Sequence, residues 1–307
     1  MINIDILTKK YLDYCKYQKK LNDKSLKAYK IDLTQFTYFI KDNDYELNKT
    51  NISNFITYLH KTYKPKTVRR KIASLKAFCN FLEYDEIIEK NPFTKMKIKF
   101  QEPLLLPKTL SLNTIQAVLS AAYGELYLAK ESTNYYNSVL RDIAVLELLF
   151  ATGVRVSELC SLTVMDVNLS EGSIKIFGKG SRERIVHIAN EDVLNSLKRY
   201  TNALPINKNG FFFINRLGNR LSEQSVRYMI NKYANKSGVS IHITPHMYRH
   251  SLATLLLEAD VDIRYIQRIL GHSSIVTTQI YTHVTSNKQK SILISKHPRN
   301  KVILNKG

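Results

Sequence analysis

The sequence predicts a mainly α-helical protein with one small antiparallel sheet, arranged as an all-α N-terminal domain followed by an α+β domain. Three observations predict it. Apolar residues recur at steps of three and four through the first hundred positions, a proline- and lysine-rich break runs from Asn91 to Ser111, and two alternating segments flank Gly178-Lys179-Gly180. With 307 residues, 44% of them hydrophobic, and only 10 Gly and 7 Pro, the chain has enough length and apolar content for two cores.

Ile4, Leu7, Tyr11 and Tyr14 form the first helical stripe and Leu26, Tyr29, Leu33, Phe36 and Ile40 the second. Ile52, Phe55, Ile56 and Leu59 make a third, and Val68, Ile72, Leu75, Cys79 and Leu82 a fourth. The fourth helix starts near Lys66 and turns Arg69, Arg70, Lys71 and Lys76 away from its stripe. Such a run is usually just a solvated face; on a chain this basic it also suits a DNA backbone. Asn91-Pro92, Pro103 and Pro107 then interrupt any helix, and Lys95, Lys97 and Lys99 add charge, so this stretch reads as an extended basic linker. Beyond it, helices are expected at about 112–122, 139–150 and 222–235, the last with Ser222 as N-cap. Residues 173–177 and 183–188 alternate as the strands of a hairpin with a Gly-rich turn. Two more helices follow at 246–258 and 262–270, the second closed by Gly271.

Forty-six Lys and Arg against 26 Asp and Glu give a net charge of +20 and a pI near 9.7, with +9 on the first 102 residues and +11 on the rest. A surface this positive attracts a polyanion and releases its counterions on binding. Nucleic acid is the leading partner and an anionic membrane surface the second, with a Lys-rich surface from a biased genome as the bland alternative. No apolar signal segment opens the chain, and no run approaches the 18 apolar residues of a membrane span, so neither secretion nor membrane insertion is expected. Cys15, Cys79 and Cys160 are odd in number, lack CxxC spacing and lie in apolar helical patterns; they read as buried thiols of a cytoplasmic protein.

Four elements carry candidate chemistry: Arg155 in Ala151-Thr-Gly-Val-Arg-Val-Ser-Glu-Leu159, Lys179 at the hairpin tip, His246-x-x-Arg249-His250, and Gly271-His272 followed nine residues later by Tyr281. Singly, none is specific. Arg155 follows an apolar helix, where a helix C-terminus welcomes a cation, and His246 with Arg249 has a capping or core explanation. His246 and His250 have the spacing of a metal pair, but Met247 stands where a zinc hydrolase has Glu, and no nearby carboxylate or Cys completes a ligand set; no metal is expected. Gly172 is out of place, and Gly180 follows Lys179, for a nucleotide-binding phosphate loop. Together, two arginines, two histidines, a lysine and a tyrosine describe phosphoryl transfer at a phosphodiester without a cofactor. A tyrosine hydroxyl attacks, arginines neutralise the developing charge, and a lysine or histidine protonates the leaving oxygen.

The stretches Thr244-Pro-His-Met-Tyr-Arg-His-Ser-Leu-Ala-Thr254, Gln267-Arg-Ile-Leu-Gly-His-Ser-Ser274 and Thr277-Thr-Gln-Ile-Tyr-Thr-His-Val284 carry a resemblance to the tyrosine recombinases of the Xer or phage-integrase family, which extends over nearly the whole chain. The resemblance implies that Tyr281 is the nucleophile and that Arg155 and Arg249 clamp the phosphate. Lys179 falls at the position of the hairpin general acid, His246 at that of the proton acceptor for Tyr281, and His272 at that of a donor to a non-bridging oxygen; Glu158 orients the site. It also implies a two-domain clamp on double-stranded DNA: a helical SAM-like core-DNA-binding domain over 1–99, a linker over 100–111, and a catalytic domain over 112–307. The basic tail, helical from about Asn287 to Ser295, is expected to pack into a neighbouring protomer, giving a tetramer on two specific recombination sites. Lys66, Arg69, Arg70, Lys71, Lys76, Arg182 and Arg184 are the candidate DNA contacts.

Tyr248 and Val154 depart from frequent Leu positions of the family and read as packing variations. The polar stretch 123–137 reads as a longer loop, either for a partner or as a tolerated insertion. Tyr265 and Tyr248 are the alternative nucleophiles to Tyr281. Two rival functions share the residue set: a type IB topoisomerase that relaxes DNA without exchanging strands, and a non-catalytic architectural DNA-binding protein.

Overall fold

Asparagine and serine side chains start five of the described α-helices in the computed structural model, which describes residues 4–41, 46–98, 108–178, 183–204 and 210–271. Asn22 accepts the Ser25 N–H at the start of α2 (Asp23–Ile40), and Asn48 accepts the Asn51 N–H at the start of α3 (Lys49–Thr62), each satisfying a donor that the helix leaves unpaired. With α1 (Ile4–Tyr17) and α4 (Pro65–Tyr84), which takes Pro65 at its first position, they enclose one core. The core is built from the predicted stripes: Leu33, Phe36 and Ile40 of α2, Ile52, Phe55 and Leu59 of α3, and Val68, Ile72, Leu75 and Leu82 of α4 are all buried. Tyr11 of α1 packs into the same core with its ring tilted against Phe78 and Phe81.

The polar face predicted for α4 is corrected at one position, Lys71. Lys71 is buried, and its ammonium lies 3.0 Å from Asp32 and 2.6 Å from the Gln35 amide oxygen; Arg70 and the Ser74 hydroxyl also donate to Asp32. Lys71 is thus withdrawn from the solvent-facing set and neutralised by an internal carboxylate. Arg70, though exposed, is likewise engaged by Asp32, whereas Lys66, Arg69 and Lys76 are exposed.

The stretch read as a linker from Asn91 is, as far as Ile98, part of the first unit. Asn91 is buried, a short 3-10 turn spans Pro92–Lys95, Phe93 joins the core, and Met96 and Ile98 pack on it. Prolines end a helix, but the apolar residues between them still find a core. By its internal contacts the chain divides into units 1–104 and 105–307.

The second unit is centred on α6 (Asn134–Thr152), whose residues from Val139 to Leu149 are buried on almost every side, as expected of a helix enclosed by others. Around it pack α5 (Leu112–Leu128), α8 (Glu191–Ala203), α9 (Glu223–Lys236) and α10 (Pro245–Glu258). Helix α7 (Val156–Ser161) follows α6 directly, and α11 (Ile263–Leu270) packs on α10. The hairpin forms as expected: β2 (Ser173–Phe177) pairs antiparallel with β3 (Glu183–His187), and β1 (Val167–Asn168) adds a third strand in the order β1-β2-β3. Ile174, Ile176 and Val186 face the core.

The expected loop at 123–137 is mostly helix, because α5 continues to Leu128 and α6 begins at Asn134. Its polar residues are used internally: buried Glu125 of α5 pairs with Lys232 at 2.6 Å and with Lys236, both on α9. Helices α7 and α8 and strand β1 are elements beyond those expected, although α8 does carry a helical stripe in Val193, Leu197 and Tyr200, all buried. All three cysteines are buried free thiols. Among the described residues no helix is long and apolar enough to cross a membrane.

Candidate active site

Helix α6 ends at Gly153, whose left-handed conformation (φ 58°) stops the helix and turns the chain toward α7. A Cβ at this position would stand 2.8 Å from Leu270 of α11 and 3.0 Å from Leu252 of α10, so glycine is needed for the close approach as well as for the turn. Arg155 follows as the N-cap residue of α7. It is not the cation that serves the C-terminus of α6. That role belongs to Arg249 of α10, whose guanidinium donates to the Gly153 carbonyl at 2.7 Å and to the Leu270 carbonyl at 2.6 Å. A positive charge 4% exposed is held there against the carbonyl ends of two helices, which supply partial negative charge.

Glu158, one turn into α7, organises the other arginines. Its carboxylate accepts the Arg155 backbone N–H at 3.0 Å and the Arg155 guanidinium at 2.7 Å, and it receives Arg184 of β3 on both oxygens, at 3.1 and 2.7 Å. Burial works to raise the Glu158 carboxyl, but the hydrogen bonds from Arg184 and from the Arg155 backbone N–H outweigh it and hold the group ionised, below its ordinary range. Arg155 also donates to the Gly271 carbonyl at 3.4 Å, and its side chain stays 37% exposed. Gly271 caps α11 in a left-handed conformation (φ 65°), where a Cβ would meet the Arg184 guanidinium at 2.8 Å.

At the start of α10, His246 is exposed, and its ring centroid lies 6.5 Å from that of His250, one turn on. Burial, with the nearby His246 and Arg249, pushes the His250 imidazole down to about 4. Tyr248 is fully buried, with its hydroxyl enclosed and its phenol pushed up by burial, which removes it as a nucleophile; Tyr265 lies exposed on α11. Among the described residues no three His, Cys, Asp or Glu side chains gather as a metal-binding group.

Of the sequence-predicted residues, Arg155, Glu158 and Arg249 are thus brought to one junction, and His246 stands on the same helix as Arg249. Lys179, Arg182, His272 and Tyr281, with the tail helix expected at 287–295, lie outside the described residues. Arg184, expected to face DNA, is instead turned inward, with a side chain 15% exposed and both terminal nitrogens on Glu158. The signal for this was present in the alternation. Arg184 is in phase with Val186 and Ile188, the inward-facing residues of the strand, and a charge on that face requires an internal partner.

The fold and this junction define the class: a helical protein whose second unit gathers guanidinium groups where α7, α10, α11 and β3 meet, an arrangement suited to an anionic group such as a phosphodiester. Comparison with known proteins makes it specific. Residues 125–288 match the phage integrase family model, and residues 8–85 match the model of the phage integrase N-terminal SAM-like domain. A tyrosine recombinase of Agathobacter rectalis is 54% identical over 303 residues, covering 97% of this chain and 98% of the relative. The tyrosine recombinase XerD of Listeria innocua is 35% identical over 302 residues, covering 94% and 97%. The crystal structure of XerH site-specific recombinase bound to a palindromic difH substrate, in a post-cleavage complex, shares the fold with a TM-score of 0.75 at 22% identity, covering 92% of this chain and 83% of that one. The chain belongs to the phage integrase family of tyrosine recombinases and is Xer-like.

Proposed function

We propose that the protein is a site-specific DNA recombinase that breaks and rejoins strands through Tyr281. The Tyr281 hydroxyl attacks the scissile phosphorus and yields its proton to His246, while Lys179 protonates the departing 5′-oxygen. The products are a 3′-phosphotyrosyl bond and a free 5′-hydroxyl. Because one phosphodiester is exchanged for another, the bond energy is kept and the reverse attack by a partner strand's 5′-hydroxyl rejoins DNA through a Holliday junction. Arg155 and Arg249 neutralise the charge that grows on the non-bridging oxygens, and His272 donates to one of them. The observation that carries this reading is the pair of arginines held at one junction, Arg249 by two helix-end carbonyls and Arg155 by Glu158. Fixed before the substrate arrives, such donors need no reorganisation as the transition state forms.

In this reading residues 1–99 bind the duplex and residues 112–307 carry the chemistry, with Lys66, Arg69 and Lys76 supplying backbone contacts. Four protomers act together on two sites in the cytoplasm, where the DNA lies.

The test is covalent capture. Nicked duplexes drawn from the DNA flanking the protein's own gene are incubated in EDTA, and protein–DNA adducts that survive SDS are measured. The wild type is expected to form them and Tyr281→Phe to form none; full recombination by Tyr281→Phe would overturn the proposal.

A further inference from the structure

We infer that Arg184 is a positioning residue for strand cleavage, acting on the scissile phosphate through Glu158 and Arg155; the inference rests on the recombinase reading above. Three observations support it. Both terminal nitrogens of Arg184 bind the two oxygens of Glu158, at 3.1 and 2.7 Å, in the two-pronged geometry that fixes a carboxylate in orientation as well as in place. The same carboxylate holds Arg155 at both ends, at its backbone N–H and at its guanidinium. With the Glu158 side chain only 6% exposed, the carboxylate has no solvent shell in which to swing, so its orientation is set by Arg184.

The position of Arg184 in the hairpin adds a second consequence. It pairs with Ile176 across β2 and β3, at the end of the hairpin whose connecting segment, 178–182, contains Lys179 in sequence. The Arg184–Glu158 pair therefore ties that hairpin to α7, so that the strand leading out of the Lys179 segment and the arginine at the start of α7 share one anchor. The same guanidinium packs on Gly271, where a Cβ would stand 2.8 Å away, and so backs the residue whose carbonyl receives Arg155. A surface arginine that served only solubility would have none of these contacts.

The test uses the full-length protein and a nicked duplex that supports adduct formation by the wild type. Single-turnover cleavage at saturating DNA, DNA affinity and melting temperature are measured for Arg184→Gln, Arg184→Lys, Glu158→Gln and the Arg184→Gln/Glu158→Gln pair. The expected result is a cleavage rate lowered roughly 10- to 100-fold in Arg184→Gln, the size of effect a small misplacement of a reacting group produces, with DNA affinity changed much less. Arg184→Lys, which keeps one charged donor, should recover part of the rate. The double variant should be no slower than the slower single one, because both substitutions break the same relay. A purely architectural role would instead lower melting temperature and affinity together with the cleavage rate. A wild-type cleavage rate in Arg184→Gln, multiplying losses in the pair, or a rate loss matched by equal falls in affinity and melting temperature, overturns the inference and leaves the recombinase reading standing. If no Tyr281-dependent adduct forms with the wild type on any flanking duplex, the recombinase reading falls and the inference falls with it.

Discussion

Removing the Asp32 carboxylate should destabilise the N-terminal unit far more than an ordinary surface substitution. Asp32 and Lys71 are 1% and 5% exposed at their side chains, 3.0 Å apart, and the carboxylate also accepts from Ser74 at 2.8 Å and from Arg70. Asp32→Ala leaves the Lys71 ammonium in the core with the Gln35 amide oxygen at 2.6 Å and the face of the Tyr63 ring at 5.0 Å, but without the carboxylate that balances its charge. Breaking a buried pair from one side costs about 3–5 kcal/mol. At about 1.4 kcal/mol per factor of ten, the open population of α2 and α4 should rise roughly 10²- to 10⁴-fold. Amide hydrogen exchange followed by mass spectrometry on peptides from the two helices reads that change directly. The double variant Asp32→Leu/Lys71→Met, which removes both charges and leaves apolar groups, should return most of the protection. Protection in Asp32→Ala within about tenfold of the wild type would refute the reasoning and return Lys71 to the solvent-facing set.

Further expectations concern the second unit and the DNA surface. The His250 imidazole is depressed from its ordinary value to about 4, so the unfolded chain takes up its proton first as pH falls; stability of the second unit should decline from about pH 6.5 down to 4, and His250→Gln should flatten that slope in urea midpoints measured across the range. Gly153→Ala should cost about 1–2 kcal/mol or more in urea unfolding, because φ is 58° and the new methyl meets Leu270 and Leu252; an unchanged midpoint would show that the α6 terminus relaxes freely. Lys66→Ala, Arg69→Ala and Lys76→Ala should each weaken DNA binding and shallow the salt dependence, by about one unit of slope for each phosphate no longer neutralised, whereas Lys71→Met should leave the slope unchanged.

Part of the candidate site is legible in the sequence. Arg155, Glu158 and Arg249 lie in local motifs whose residue types suit a phosphodiester, and all three meet at one junction. What the motifs do not reveal is how each is held. Arg155 follows α6 in sequence, where a cation would cap the helix, yet Arg249, 96 residues from Gly153 along the chain, takes that place. Short helices also escape a reading by periodicity: α7 has six residues, too few for a repeating stripe to emerge.

The sequence by itself determined the apolar helical stripes and the two strands of the hairpin, because apolar spacing is written along the chain and needs no distant partner. Only the tertiary structure decided the fate of individual charges. Lys71 reads as part of a basic face until Asp32, 39 residues away, is packed beside it, and Arg184 reads as a DNA contact until Glu158, 26 residues away, accepts both its nitrogens. A charge goes inside only where folding brings it a partner that offsets the loss of water. That partner is chosen by how helices and strands distant in sequence come to pack, which no local period records.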